Sequence, residues 1–393
     1  MSEYLNQFMK LNDVGTIARG KSKHRPRNDL SLYGGKYPFI QTGDVKHSNF
    51  YITEYSQTYN ERGLAQSKLW QPGTLCITIA ANIGDTAILK IPACFPDSII
   101  GFIPDKNKSD VSFIKYCLDI YKLQIQSISQ GTTQDNLSLE KLLSFKFRIP
   151  PLPTQKKIAA ILCTYDDLIE NNNRRIALLE KMAEEIYREW FVRLRFPGHE
   201  QVTFYKGVPD GWERKRFDEF CLLQRGYDLP DDKVKPGKYP VVASTTIKTY
   251  HNEFKVHPPV ITTGRSGSLG TVLFINTQAW ALNTTLFVKN FYGNSAYLIY
   301  YTLKFLRLEN FNSGAGVPTL NRNHLGSLYM SIPPKTLQDN FDKKISVIFE
   351  KKELLAKSND ILKQTRDRLL TRLISGKLSV EELDIQFPPS MAE

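Results

Sequence analysis

The chain has 393 residues, 41% apolar and 23% charged, an ordinary globular composition with enough apolar residues for more than one core. No window approaches 18 uninterrupted apolar residues, which excludes a membrane-spanning helix, and the opening MSEYLNQFMK has no apolar stretch of the kind a secretory signal needs. The net charge is +12, and residues 1–148 (18 basic, 13 acidic, net +5) and 201–330 (15 basic, 9 acidic, net +6) hold nearly all of it, a distribution that fits a polyanionic partner or a merely soluble basic protein.

The first segment, residues 1–148, reads as mixed α/β. Apolar, β-branched runs at residues 74–79 and 86–89 predict strands, and residues 110–128 are apolar at helical spacing. Ile149-Pro150-Pro151-Leu152-Pro153 then opens a long helix over the central region 149–200, because proline suits a first helical turn and none follows Pro153 until Pro197. Residues 201–330 repeat the mixed pattern, with strands expected at 260–263 and 271–275 and a helix at 294–309. Ile332-Pro333-Pro334 opens a second long helix within residues 331–393. The repeat has an offset of 183, which also carries Gln155 onto Gln338 and Leu142 onto Leu325. Gly35-Lys36-Tyr37-Pro38 recurs as Gly237-Lys238-Tyr239-Pro240. The isolated cysteines, with no C-x-x-C pair, argue against a zinc site or disulfides and for a reducing cytoplasm.

Both long helices carry heptad stripes. In the first the stripe runs Ile158, Leu162, Tyr165, Ile169, Asn172, Ile176 and on to Trp190; in the second it runs Phe341, Ile345, Ile348, Lys352, Leu355, Asn359 and on to Leu373. Antiparallel packing over the full length sets 158 opposite 373 and places Asn172 and Asn359 in one layer, where a polar pair fixes register. Lys352 and Arg366 fall opposite Leu179 and Tyr165, with stems long enough to snorkel. Asp166 and Asp167 read as a solvated face. The predicted architecture is two mixed α/β domains separated by an antiparallel coiled coil with an approximate two-fold axis. Such a frame suits duplex DNA read as two half-sites.

These features resemble the specificity (S) subunit of type I restriction-modification systems. The resemblance is carried by IPPLPTQKKIAAIL (residues 149–162) with WFVRLRFPGHE at 190–200, and by IPPKTLQ (332–338) with LISGKLSV at 373–380. Residues 334–338, PKTLQ, depart from the more usual Leu-Pro-x-Gln-x. The resemblance implies that 1–148 and 201–330 are target-recognition domains, each reading half of a split sequence on double-stranded DNA. It implies that the helices set the spacing and dock two modification subunits, which use S-adenosylmethionine to methylate adenine. Restriction subunits, motor nucleases using ATP and Mg, would join for cleavage. The chain itself would be a non-catalytic subunit without a metal; the competing reading is a coiled-coil protein scaffold without DNA specificity.

Residues 15–22, GTIARGKS, match the pattern of a phosphate-binding loop, but Pro26 blocks the helix such a loop needs, so a basic loop on DNA is the better reading. Phosphate contacts call for Lys, Arg and small donors, and base readout for side chains with bidentate reach. The first-domain candidates are Arg19, Lys21, Lys23, Arg25, Arg27, Thr42 and Lys46, with Gln130, Thr132, Thr133, Gln134 and Asn136 around Gly131. The repeat nominates Arg225, Tyr227, Ser244, Thr245, Thr246 and Lys248 in the second domain. Arg265 and Ser266 sit in a glycine-rich stretch that reads equally as a hairpin turn. Asn312, Ser313, Thr319, Asn321 and Arg322 complete the set around Gly314.

Overall fold

The computed structural model describes residues 8–129, 137–314 and 316–391, and the architecture is mixed α/β. The chain forms two compact units, residues 1–173 with 356–393, and residues 174–355. Each unit takes part of the long helices Leu152–Tyr187 and Lys335–Ile374.

In the first unit a five-stranded sheet runs Gly15–Arg19, Ile99–Pro104, Leu75–Thr78, Thr86–Leu89, Tyr51–Ile52. All its pairings are antiparallel except that of the last two strands. Leu75–Thr78 is buried at every position, as a central strand covered on both faces requires. The helix Val111–Ser129 covers one face, with Phe113, Ile114, Cys117 and Leu118 in one core with Leu75, Ile77, Ile88 and Phe102. A smaller sheet runs Gln57–Tyr59, Tyr33–Phe39, Ala93–Cys94, Leu69–Trp70, its second and third strands parallel.

The second unit repeats this plan. Its larger sheet runs Leu222–Arg225, Thr285–Asn290, Val260–Gly264, Val272–Ile275, and its smaller one Ile247–His251, Tyr239–Val242, Trp280–Ala281. Tyr239–Val242 again pairs antiparallel with one neighbour and parallel with the other. The helix Ala296–Phe305 stands where Val111–Ser129 stands in the chain order. The repeated sequence is therefore a repeated topology, and the Gly-Lys-Tyr-Pro tetrapeptide lies at the central strand of each smaller sheet. The expected strands and helices form within a few residues of their predicted limits.

The two proline corners are built alike. Gln155 is fully buried; its Nε2 donates to the carbonyls of Lys108 and Pro150 at 2.8 Å each, and its Oε1 accepts from the Asp110 amide at 3.0 Å. Gln338 is 2% exposed; its Nε2 donates to the Pro333 carbonyl at 2.9 Å and to Asn294 Oδ1 at 3.1 Å, and its Oε1 accepts from the Ser295 amide at 2.8 Å. One amide thus ties the start of each long helix to the segment leading into the domain's own helix. Buried polar groups are tolerated only when satisfied in this way.

Within each unit the long helices pack side by side in the predicted register. In the first unit Ile158, Ala159 and Leu162 share a core with Leu370, Leu373 and Ile374, and Asn172 meets Asn359. In the second unit Ala183, Tyr187 and Trp190 share a core with Phe341, Ile345 and Ile348. Lys352 does more than snorkel: its Nζ lies 2.6 Å from Glu180. Asp166 corrects the expectation of a solvated face. It is largely buried and accepts from the Tyr116 hydroxyl and the Arg366 guanidinium. Tyr116 lies 50 residues away in sequence, so heptad position alone does not reveal the partner. Burial works against the Arg366 charge, but Asp166 and Asp367 beside it more than offset that and hold its pKa above the usual arginine value.

All five cysteines are buried free thiols. Among the described residues no helix is long and apolar enough to cross a membrane.

Candidate nucleic-acid interface

Arg19 ends the strand Gly15–Arg19 and is exposed. The chain then makes a step that the main chain holds. The Gly20 amide donates to the Ile99 carbonyl at 2.9 Å, and the Lys21 amide to the Phe95 carbonyl at 3.0 Å. Gly20 lies so close to the neighbouring backbone that a Cβ there would stand 2.3 Å from the Pro96 carbonyl oxygen, so only glycine fits. Beyond the step, Ser22 is buried against the Tyr59 hydroxyl while Lys21 and Lys23 point outward. Arg25 is turned back onto its own loop, donating to the carbonyls of Ser22 at 2.6 Å and His24 at 2.9 Å. Arg27 holds Asp97 at 2.6 Å. Since Gly15–Arg19 is itself a strand and Gly20 and Lys21 hang from a neighbouring segment, the 15–22 pattern does not make a strand–loop–helix phosphate cradle.

A cleft of about 550 Å³ opens beside this loop, lined by Arg27, Asn28, Gln41, Thr42, Gln57 and Thr58 among others. Arg27 and Thr42 were expected at a DNA contact; Asn28, Gln41 and Gln57 were not, because their convergence depends on a strand pairing between Phe39 and Gln57. Tyr33 also lines the cleft, and burial pushes its hydroxyl pKa up to about 12. Lys46, on the helix Thr42–His47, reaches Asn82 at 3.2 Å instead. Gln130, Thr132, Thr133, Gln134 and Asn136 lie outside the described residues.

The second unit repeats the step. Arg225 ends Leu222–Arg225 and is exposed, the Gly226 amide donates to the Thr285 carbonyl at 3.1 Å, and the Tyr227 amide to the Ala281 carbonyl at 2.8 Å. Tyr227 is half-buried, its ring stacked 5.9 Å from Phe287, and Arg225 approaches Asp228 at 3.7 Å. Three separate candidate groups meet beyond it. Ser244 Oγ donates to the carbonyls of Ser266 and Thr284 at 3.0 Å. The Arg265 amide donates to the Thr284 carbonyl at 2.8 Å, and Ser266 bridges Thr319. Asn312 Oδ1 accepts from the Gly314 and Thr319 amides, and Ser313 donates to the Thr319 carbonyl. Residues 265–271 form the hairpin connection between Val260–Gly264 and Val272–Ile275. Thr245 and Thr246 are exposed, and Lys248 pairs with Asp231 at 2.6 Å. Asn321 caps the helix Arg322–Gly326, whose first residue lines a different cleft with Lys289 and Gln224.

Comparison with known families finds the same duplication. The family model described as the type I restriction modification DNA specificity domain matches twice, at residues 5–181 and 209–369. The chain belongs to that family. Its two globular domains are sequence-recognition domains of a specificity subunit, and the scaffold reading without DNA specificity is not favoured. Among relatives of this specificity family, the type I restriction enzyme MjaIX specificity subunit of Methanocaldococcus jannaschii is 27% identical, over 95% of this chain and 94% of its own. The EcoR124I/EcoR124II specificity subunit of Escherichia coli is 26% identical over half of each chain. The crystal structure of a type I restriction-modification S subunit from M. genitalium shares the fold, with a TM-score of 0.59, 18% identity and coverage of 95% of this chain and 97% of that one.

Proposed function

We propose that each globular domain reads one half of a bipartite site on duplex DNA, and that the paired long helices set the gap between the halves. The observation that carries this reading is the duplicated strand–arginine–glycine step. It sets an exposed arginine and a backbone-anchored loop at matching places in two domains that hold most of the chain's positive charge. The chemistry resides in partners. Two modification subunits using S-adenosylmethionine dock on the helices and methylate an adenine in each half-site, and restriction subunits with ATP and Mg join them for cleavage. Recognition is thereby separated from reaction, and this chain contributes position and selectivity in the cytoplasm.

The test is selection from random-sequence duplex DNA by the full chain assembled with its modification subunits. Two short words at a fixed separation are expected among the retained fragments. Retention of DNA without any common sequence, or of one uninterrupted word, would count against it.

A further inference from the structure

Resting on the DNA-reading role above, we propose that the Gln41–Gln57 amide pair is an adenine reader in the first domain. Gln41 Nε2 donates to Gln57 Oε1 at 2.6 Å, and both side chains line the cleft beside Arg27 and Thr42. The bond uses one N–H and one lone pair. It leaves Gln57 Oε1 a second lone pair and Gln57 Nε2 both of its hydrogens. That is one acceptor beside one donor in a single plane. Adenine alone presents the complement on its major-groove edge, with the N6 amino group donating and N7 accepting. Guanine offers two acceptors there, so a carbonyl oxygen would face a carbonyl oxygen; thymine and cytosine each satisfy one half of the amide.

The pair is held for this task by Asp44. The Gln41 main-chain N–H donates to Asp44 Oδ2 at 2.7 Å, and Ser56 Oγ donates to the same oxygen at 3.3 Å. One carboxylate therefore clamps both segments that carry the glutamines. Gln57 opens the edge strand Gln57–Tyr59, so its side chain is exposed while its backbone is paired with Phe39. A reading side chain fixed by a neighbour and presented from a rigid element loses little freedom on binding. The second domain has its counterpart at the turn after Tyr239–Val242, where Val242 pairs with Ile247 and Thr245 and Thr246 are exposed. Hydroxyls there in place of amides give the two domains different words.

The experiment maps the sites methylated on random-sequence duplex DNA by the assembled wild-type complex and by complexes carrying Gln57→Ala, Gln57→Glu or Gln41→Ala. Wild type is expected to show an adenine in one half-site that Gln57→Ala relaxes, with its preference falling at least about tenfold. Gln41→Ala, which removes only the brace, relaxes the same position less. Gln57→Glu, which presents acceptors only, moves that position towards cytosine, and this variant serves if Gln57→Ala fails to fold. The other half-site stays unchanged throughout. A wild-type motif retained intact by Gln57→Ala or Gln57→Glu overturns the amide assignment alone. A wild-type complex that selects no sequence overturns the recognition role and the assignment with it.

Discussion

The side-chain amide of Asn172 donates to Oδ1 of Asn359 at 2.9 Å. Asn359 is only 5% exposed and passes its own N–H to Asn173 at 2.9 Å. The bond marks the layer where the antiparallel register predicts the two asparagines to meet. A satisfied polar pair costs stability against leucine but penalises every other alignment of the helices. Asn172→Leu alone leaves the Asn359 carbonyl oxygen without its donor, and about 1–2 kcal/mol of stability is expected to be lost. Asn172→Leu with Asn359→Leu is expected to recover that loss and raise Tm. A double-mutant cycle by urea unfolding measures the coupling; additive losses would count against the pairing.

Gln155 and Gln338 make equivalent sets of three bonds, so equivalent substitutions should cost alike. Gln155→Leu and Gln338→Leu each strand one buried amide N–H and leave two acceptors without their donor. A loss of about 2–4 kcal/mol is expected for each. Denaturant midpoints with unchanged slopes would confirm a native-state effect. A large loss at one position and none at the other would break the equivalence.

Burial pushes the Asp110 carboxyl above the usual carboxylate range, while its Oδ1 accepts from the Phe113 amide at 2.9 Å. The folded state therefore binds this proton more tightly than the unfolded chain does. The resulting stabilisation is present at low pH and is lost as pH rises from the ordinary aspartate value through the raised one. Asp110→Asn keeps the acceptor and removes the buried charge. Its Tm is expected to exceed wild type near pH 7, and the advantage to shrink as the medium is acidified. An equal difference at pH 4 and pH 7 would refute the assignment.

Lys21 and Lys23 stand exposed beyond a loop anchored by its main chain. Lys21→Ala and Lys23→Ala are each expected to weaken binding to all DNA sequences and to flatten the salt slope of log affinity by about one unit. Fluorescence anisotropy of the assembled complex over a salt series reads both quantities. An unchanged slope removes the loop from the phosphate contacts.

A Cβ added at Gly20 would stand 2.3 Å from the Pro96 carbonyl oxygen, and one at Gly226 2.1 Å from that of Leu282, distances no carbon can share. Gly20→Ala and Gly226→Ala are expected to destabilise by about 1–3 kcal/mol each, because the strand and the adjoining segment must part. Thermal unfolding checks this directly.

The long helices, their register and the repeat were legible because each is written locally, as heptads, proline corners and matched tetrapeptides. The chemistry of the interface was written less plainly. Asp166 looks like a solvated helix residue until Tyr116 arrives from another helix. Gln41 and Gln57 are unremarkable polar residues until an edge strand folds Gln57 back beside Phe39. Gln155 and Gln338 showed as a repeated letter, but their role as a knot of three bonds needs the carbonyls of Lys108 and Pro333, which no side-chain pattern encodes. The Gly20 and Gly226 requirement likewise comes from neighbouring backbone, invisible to composition.

The arginine–glycine step has an evolutionary corollary. Lys21 and Tyr227 are both hung from neighbouring carbonyls by their main-chain N–H. Every amino acid except proline owns that hook. The exposed positions around the hook, such as Lys21, Lys23 and Asp228, are therefore open to rewriting: a lineage can change its vocabulary there by point substitution, without redesigning the frame that displays it.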